Sequence, residues 1–477
     1  MKLKHKLAIL PSLICANAFA TPIYQPSGPN LTYGSSSNNQ SIMSSIANPA
    51  AAAAVLTNED SQYRAGIISI GAGYEIGNVN GLFDQIDSAK TTLQAPISNS
   101  DLANLAVANP TPTAFASAIA SFINTSPSTV IVNNVLNVVQ RDGNAAIYFD
   151  GHVPLTPFVV SRKGLGGSIV FDANVSAIAN MSLIEDPLFI SPTTATSIAN
   201  AYIANPTTFT LPTIPNDSTL LVKAAMVTEL GLGYSRSVLA REISYPAEGE
   251  PIDGKFSSSE LTAGELTAGV RMKYYQVRLA DNAEKLIQTT TGAQSTLKAS
   301  QTYTSNSGVG FDVGTLWTSK NYRAGAWINN LNSPSFNYNA IDLTGYTSSS
   351  VIAQLNSNGT YKMKPQLQLE GAVFSQSQNW VVNAGLDANA VQDPVGRNFQ
   401  WLTLSAAYAT NSWWIPGARV GYRANRAGSK LSYITGGLTL FKALSLDIAY
   451  GRDSVTDSNG KTIPRSAMIN LGMQMTF

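Results

Sequence analysis

The sequence predicts an all-β protein: a transmembrane antiparallel β-barrel of about fourteen strands, with an N-terminal plug in its lumen and a helical insert after the first strand. Three observations point there. Only 12% of the 477 residues are charged, about half the share usual in soluble domains, whose surfaces are dressed with Lys, Glu, Arg and Asp. Mean hydropathy is +0.01, and past the leader no stretch approaches the roughly 18 consecutive apolar residues of a spanning helix. What recurs instead is alternation with a period of two, the pattern by which a barrel strand turns one face to lipid and the other to its lumen. Length alone would suggest roughly three soluble domains, which the missing charge opposes. Disorder is opposed by 19 Tyr, 16 Phe and 6 Trp, too many for a chain without a core.

Residues 1–20 read as a secretory signal peptide. Lys2, Lys4 and Lys6 form a basic start, Leu7 to Cys15 an apolar stretch, and Ala18-Phe19-Ala20 a small-x-small cleavage site before Thr21. The only cysteine, Cys15, lies in this leader, where Leu13 and Ile14 do not offer the small residue a lipoprotein signal needs. The mature chain is therefore expected to have no disulfide and no thiol chemistry. Loss of the three lysines leaves 27 basic against 29 acidic residues, a net charge of −2. Without a basic run, nucleic acid is not an expected partner.

The strands follow in order. Ile68 to Gly77 alternates almost perfectly, and Ser168 to Ala177 sets Ile169, Phe171, Ala173 and Val175 against Asp172, Asn174 and Ser176. Further alternation falls near 145–162, 219–237, 262–277, 306–318, 321–332, 363–377, 379–390, 398–410, 415–424, 430–441 and 443–452. Last comes Ser466 to Phe477, with Ala467, Ile469, Leu471, Met473, Met475 and Phe477 on one face. A final amphipathic strand ending in an aromatic is the feature that barrel-assembly machinery is expected to read. Loop lengths agree with a fourteen-strand count: 78–144, 178–218, 278–305 and 333–362 all fall on the side expected outside the cell, opposite mostly tight turns. The long 238–261 connection is the exception, placed on the periplasmic side.

Two regions do not read as wall. Residues 21–63 are polar and Gly/Ser/Asn-rich, ending near Asn48-Pro49-Ala50 and an alanine run; they are expected to fold back as the plug, with 64–477 forming the barrel. Residues 80–141 have helical spacing, one segment opening after Pro112-Thr113 and another at Ser126-Pro127, which suits an N-cap followed by proline. A helical cap in the first outer loop is one reading, an insert inside the barrel the other.

Asn48-Pro49-Ala50 ahead of fourteen strands resembles the long-chain fatty-acid transporter (FadL) superfamily. Within it, residues 308–336, 364–391 and 415–450 are most similar to the TraF-like outer-membrane proteins, as is Gly81-Leu82-Phe83-Asp84 at the entry to the helical insert. The resemblance implies a plugged, monomeric barrel in the bacterial outer membrane, in contact with its lipid. In the fatty-acid transporters, plug and lumen bind hydrophobic molecules and pass them inward; the TraF-like branch has no firmly implied substrate. By that resemblance Asn48, Pro49 and Ala50 become candidate substrate-binding residues.

Parity puts Glu75, Asp172, Glu229, Arg271, Lys273, Asp312, Arg323, Glu370, Asp387, Arg419, Arg423 and Asp447 on the lumen side. They form either a charge-lined path for polar solutes or cross-strand pairs that anchor the plug, since an unpaired buried charge costs several kcal/mol. Trp380, Trp413 and Trp414 sit beside expected turns, where an interfacial girdle belongs. Trp327 and Trp401 have the opposite parity from their apolar neighbours and are candidate ligand contacts inside. His152, with Asp150 two residues earlier on the same face, is the one handle for a barrel hydrolase of the Asp-His-Ser kind. No nucleophile motif accompanies it, so no catalytic residue is assigned. Neither a metal site nor a cofactor is expected: one histidine without cysteine is too few ligands, and Gly71-Ala72-Gly73-Tyr74-Glu75-Ile76-Gly77 lacks the spacing and context of a dinucleotide fingerprint. The leading functional expectation is passive uptake of a hydrophobic or amphipathic small molecule. The runner-up is a structural outer-membrane part of a conjugation or secretion apparatus.

Overall fold

The computed structural model describes residues 28–34, 41–55, 62–211, 214–241, 263–288, 302–357, 359–409 and 413–476. The leader, its cleavage site, Phe477 and nearly all of the 238–261 connection lie outside the described residues.

The N-terminal stretches carry three short helices, α1 (Asn30–Tyr33), α2 (Ser44–Ala47) and α3 (Ala51–Val55). The wall then begins with β1 (Gln62–Ile76), β2 (Asn144–His152 continued by Phe158–Arg162), β3 (Gly167–Ile184), β4 (Thr219–Arg241) and β5 (Gly264–Lys285). It continues through β6 (Thr304–Thr318), β7 (Tyr322–Asn329), β8 (Gln366–Phe374), β9 (Trp380–Asp387) and β10 (Trp401–Tyr408). β11 (Gly417–Asn425), β12 (Ser432–Leu440), β13 (Leu444–Gly451) and β14 (Ser466–Thr476) complete it. Each strand pairs antiparallel with its sequence neighbours, and β14 pairs with β1 from Arg64↔Thr476 to Glu75↔Ser466, so the sheet closes. Both pieces of β2 lie between β1 and β3, so they share one of fourteen positions in the wall. Closure leaves no open edge, the condition for a sheet to cross a membrane. No single helix among the described residues is long and apolar enough to do so.

Alternation decides which face meets what. Outward side chains such as Leu232, Val270, Val420 and Ile448 are 48–58% exposed, forming the belt that lipid would cover. Their inward neighbours are buried, charged residues included. The second strand is interrupted at residues 153–157, where Pro157 has no N–H to give the ladder. The gap is bridged by Val153 N–H to Ala173 O (2.9 Å), Thr156 Oγ1 to Ala173 O (2.8 Å) and Gly66 N–H to Pro157 O (2.9 Å). The backbone comes so close there that a Cβ on Gly66 would meet the Thr156 carbonyl oxygen at 2.4 Å.

β3, β4 and β5 run for 18, 23 and 22 residues, about twice the 9–11 that cross a bilayer. Their ends extend the wall at the long-loop end, and both faces of that extension are covered. Outside lie α4 (Leu82–Gln94), α5 (Asn99–Ala108), α6 (Pro112–Thr125), α7 (Pro127–Asp142) and α8 (Pro192–Ala204), packed through Ile86, Phe115, Ile119, Leu136 and Ile198. They meet outward residues of the strand ends, Met181 and Leu183 of β3 and Leu220 and Val222 of β4. Ser126 caps α7 by accepting the Thr129 N–H (3.2 Å), with Pro127 at the first helical position. On the inner face, Ile184 and Leu221 pack against Val351 and Leu355 of α9 (Ser349–Asn356) in the 330–365 loop. Of the two placements open for the helical insert, the structure chooses the loop end and the outer side of the wall, not the lumen.

Candidate lumenal site

The stretches 28–34 and 41–55 pack against the inner face of the wall, with α1 beside β10–β13 and α3 beside β3–β6. Asn48-Pro49-Ala50 lies in a notch of this face. Asn48 Nδ2 donates to Glu370 Oε1 (2.9 Å) and to the Thr315 carbonyl (3.3 Å), while its Oδ1 accepts the Ala50 N–H (2.9 Å). Thr267 Oγ1 donates to Ala50 O (3.2 Å). Two wall glycines make the notch: a Cβ on Gly269 would meet the Pro49 carbonyl oxygen at 2.2 Å, and one on Gly314 would meet Asn48 Oδ1 at 2.4 Å. All three positions of the motif are thus held against the wall.

The inward charges are used in pairing and in holding the same segment. Arg271 bridges Asp172 and Glu229 (2.6 Å each) and donates to the Ile46 carbonyl (2.7 Å). Lys273 meets Asp312 at 2.8 Å. Arg419 Nε meets Asp447 Oδ1 at 2.7 Å, and Thr32 Oγ1 donates to the same carboxylate (2.5 Å). Arg423 donates to the Leu31 carbonyl (3.3 Å), its guanidinium 4.1 Å over the Trp401 ring. Arg323 lies 5.1 Å over the Phe374 ring. Asp387 accepts from Gln366, Gln368 and the Trp401 N–H at 2.6–2.9 Å. Glu75 meets Arg397 at 3.4 Å. Among the described residues, cations and acids are interleaved across strands, and Arg271, Arg423 and Asp447 also bind the N-terminal stretches.

Sequence reasoning missed Arg397 because it lies in the loop after β9, where strand parity says nothing. Its signal was the turn Asp393-Pro394-Val395-Gly396-Arg397, in which Asp393 accepts the Arg397 N–H (2.7 Å) and pairs with its Nε (3.1 Å). Burial pushes the Asp393 carboxyl up from its ordinary value, with the Arg397 charge opposing.

Toward the long-loop end the lumen turns aromatic. Phe336 stacks on Tyr361 (6.2 Å) and meets Tyr275 edge-on (6.3 Å); Trp401 stacks on Phe399 (5.8 Å) and lies 6.0 Å from Tyr433. Trp401 and Trp327 both point inward and are 7% and 1% exposed. The Trp327 Nε1 is buried without a hydrogen-bond partner among the described residues. Trp380, Trp413 and Trp414 are exposed beside turns. Neither ring nitrogen of His152 makes a hydrogen bond among the described residues, so the structure does not assemble a His-Asp pair there. No group of three His, Cys, Asp or Glu among those residues is placed to hold a metal.

A sequence profile of the family described as "F plasmid transfer operon, TraF, protein" matches residues 45–244 and 255–387, about 70% of the chain. The chain belongs to this family. The match runs from the helix preceding Asn48 to the end of β9, so the TraF-family profile includes the notch motif, the helical insert and the Arg271 cluster. No curated protein matches this TraF-family chain. Among solved structures, a TodX deltaS2S3 mutant monoaromatic hydrocarbon channel is 10% identical, covering 96% of this chain and 99% of its own, with a TM-score of 0.38. A Pseudomonas aeruginosa FadL homologue is 11% identical, covering 97% and 99%, with a TM-score of 0.25. The barrel assignment for this family member rests on its own strand pairing and closed register.

Proposed function

We propose that the chain is an outer-membrane channel for passive uptake of hydrophobic or amphipathic small molecules, with residues 21–63 as its plug. The observation that carries this is a buried aromatic cluster of Tyr275, Phe336, Trp401 and Tyr433 inside a closed barrel to whose inner face an N-terminal segment is hydrogen-bonded. Aromatic walls with a few placed polar groups are what a small apolar ligand needs. Trp401 supplies ring surface and the Trp327 N–H a donor; Asn48, Pro49 and Ala50 hold the plug beneath. On this reading the chain is an exported monomer surrounded by lipid, its leader cut after Ala20, its terminal Phe477 read during assembly. N-terminal sequencing that begins anywhere but Thr21 contradicts the cleavage. For uptake, the protein is purified in mild detergent and an organic extract is analysed by mass spectrometry. A ligand that is retained, and depleted in Trp401→Ala, supports uptake; repeated extracts holding only detergent and bulk phospholipid sink it.

A second reading is favoured by the family's description, which refers to a transfer operon: a structural outer-membrane part of a conjugal transfer apparatus. Deleting the gene should then lower conjugation frequency, and an unchanged frequency removes this reading.

A further inference from the structure

The helices outside the wall are built almost without charge. Residues 102–140 contain no Asp, Glu, Lys, Arg or His, and neither do residues 187–216, which carry α8. A surface that faces only water is dressed with charge. This one is apolar instead: Val107, Val130, Ile131, Phe189 and Ile203 are 49–86% exposed, as open as the outward rows of the wall. Phe189 is fixed in place. Leu188 N–H donates to Asn133 Oδ1 of α7 (2.7 Å) and Ile190 N–H to Asn124 Oδ1 of α6 (2.8 Å), and both flanking side chains are buried, which leaves the Phe189 ring outside. α6 and α7, bent by 44° at their junction, together have the length and composition of a membrane span, although their packed faces tie them to the wall.

Exposed apolar surface of this kind marks a membrane or protein contact, and its height selects between them. Along the outward row of β3, Phe171 is exposed and Met181 lies beneath the helices. The strand between them spans about 33 Å, which at a tilt of ~45° is a rise of roughly 24 Å, close to the ~25 Å apolar band of such barrels. The helices thus overhang the belt at its upper rim, next to lipid.

We propose that the charge-free face of α6–α8, with Phe189, rests in the interfacial zone of the outer leaflet beside the barrel. Interfacial helices hold their apolar residues about 5–10 Å into the headgroup and upper acyl region. The contact rests on the barrel spanning a bilayer and is independent of transport.

Cys15→Ser removes the only native cysteine, so single-cysteine variants report one position each. Ile131→Cys and Phe189→Cys are compared with Val270→Cys in the belt and Ser458→Cys in an exposed turn at the long-loop end. Each carries an environment-sensitive fluorophore in phosphatidylcholine nanodiscs, and heat-dependent gel mobility checks folding. Quenching is read from a phosphatidylcholine bearing a nitroxide near its glycerol and, separately, from aqueous iodide. Nitroxide should quench the Val270 label and iodide the Ser458 label. A loss to nitroxide at positions 131 and 189 comparable to that at 270, with protection from iodide, supports the contact. Quenching by iodide without quenching by nitroxide at either position overturns it. Protection from both quenchers also overturns it, because a second copy or another protein then covers the face. If the label at 270 escapes the nitroxide as well, the membrane-spanning reading falls along with the proposal.

Discussion

Arg271 shows most directly how individual residues hold the lumen together. One guanidinium serves two carboxylates from different strands and a carbonyl of the inward segment, all in near-complete burial. Replacing it by methionine removes the cation that the buried Asp172 and Glu229 share, a loss of about 3–5 kcal/mol. Arg271→Met should therefore lower the temperature at which the folded gel band converts to the unfolded one. Neutralising the pair as well (Asp172→Asn with Glu229→Gln) should restore most of it, and an unshifted single variant would show the cluster to be idle. Asn48 is expected to act on the segment more than on the wall. Asn48→Ala removes the donor to Glu370, worth about 1.5–3 kcal/mol for a hydrogen bond to a charged group. Limited proteolysis should cut the N-terminal segment faster while the barrel band stays intact. Parity alone placed all these charges inward, because a strand's side chains can only alternate. Which charge meets which was not legible, since ion-pair partners among the described residues lie up to 322 residues apart, as Glu75 and Arg397 do.

The elements show a different limit. Alternation reads only a wall with lipid on one side, so the expected third strand, 168–177, stops seven residues short of Ile184. Beyond it, Ile178 to Ile184 includes Met181, Leu183 and Ile184, buried on both faces by helices outside and α9 inside. A doubly covered strand can carry apolar residues on both faces in succession, as Leu183-Ile184 does. The same holds for Leu220-Leu221-Val222 in β4. What fastens the inner cover is Asp217: it takes the Lys285 ammonium (2.5 Å) and the N–H groups of Thr347 and Ser348 (2.5 and 2.6 Å). Burial by itself would raise this carboxyl, but the Lys285 hydrogen bond and the two amides outweigh it, and its pKa is lowered. A lowered carboxyl stabilises the fold above the ordinary aspartate value of ~3.9 and loses that contribution as pH falls through the lower folded value. Hydrogen exchange across residues 338–357 should therefore accelerate below that range in the wild type. Asp217→Asn should exchange fast already at pH 7; equal protection at pH 7 would mean the latch does not hold the loop.

At the scale of the whole molecule, the fourteen-strand count was legible because strand order, tight turns and long loops constrain one another, even where a boundary was wrong. The break in β2 left the count intact, since both pieces occupy one place between β1 and β3. Closure is the property on which the outward apolar face and the lumen both depend, because an open sheet in a membrane would expose unpaired N–H and C=O groups to hydrocarbon. It rests on one seam, β1 against β14, in which Ala72 faces Ile469. Paired Cα atoms in such a ladder lie about 4.5–5.5 Å apart, within the 4.4–6.8 Å that a disulfide spans. Cys15 in the leader is the only native cysteine, so Ala72→Cys with Ile469→Cys offers a single possible bond in the mature chain. Oxidation of the folded protein should form it in high yield and leave a cyclised chain that migrates anomalously after boiling unless reductant is added. Cysteines offset by two residues, at Ala72 and Leu471, should crosslink far less. Equal yields from both pairs, or none from either, would mean that β14 does not close the barrel in this register.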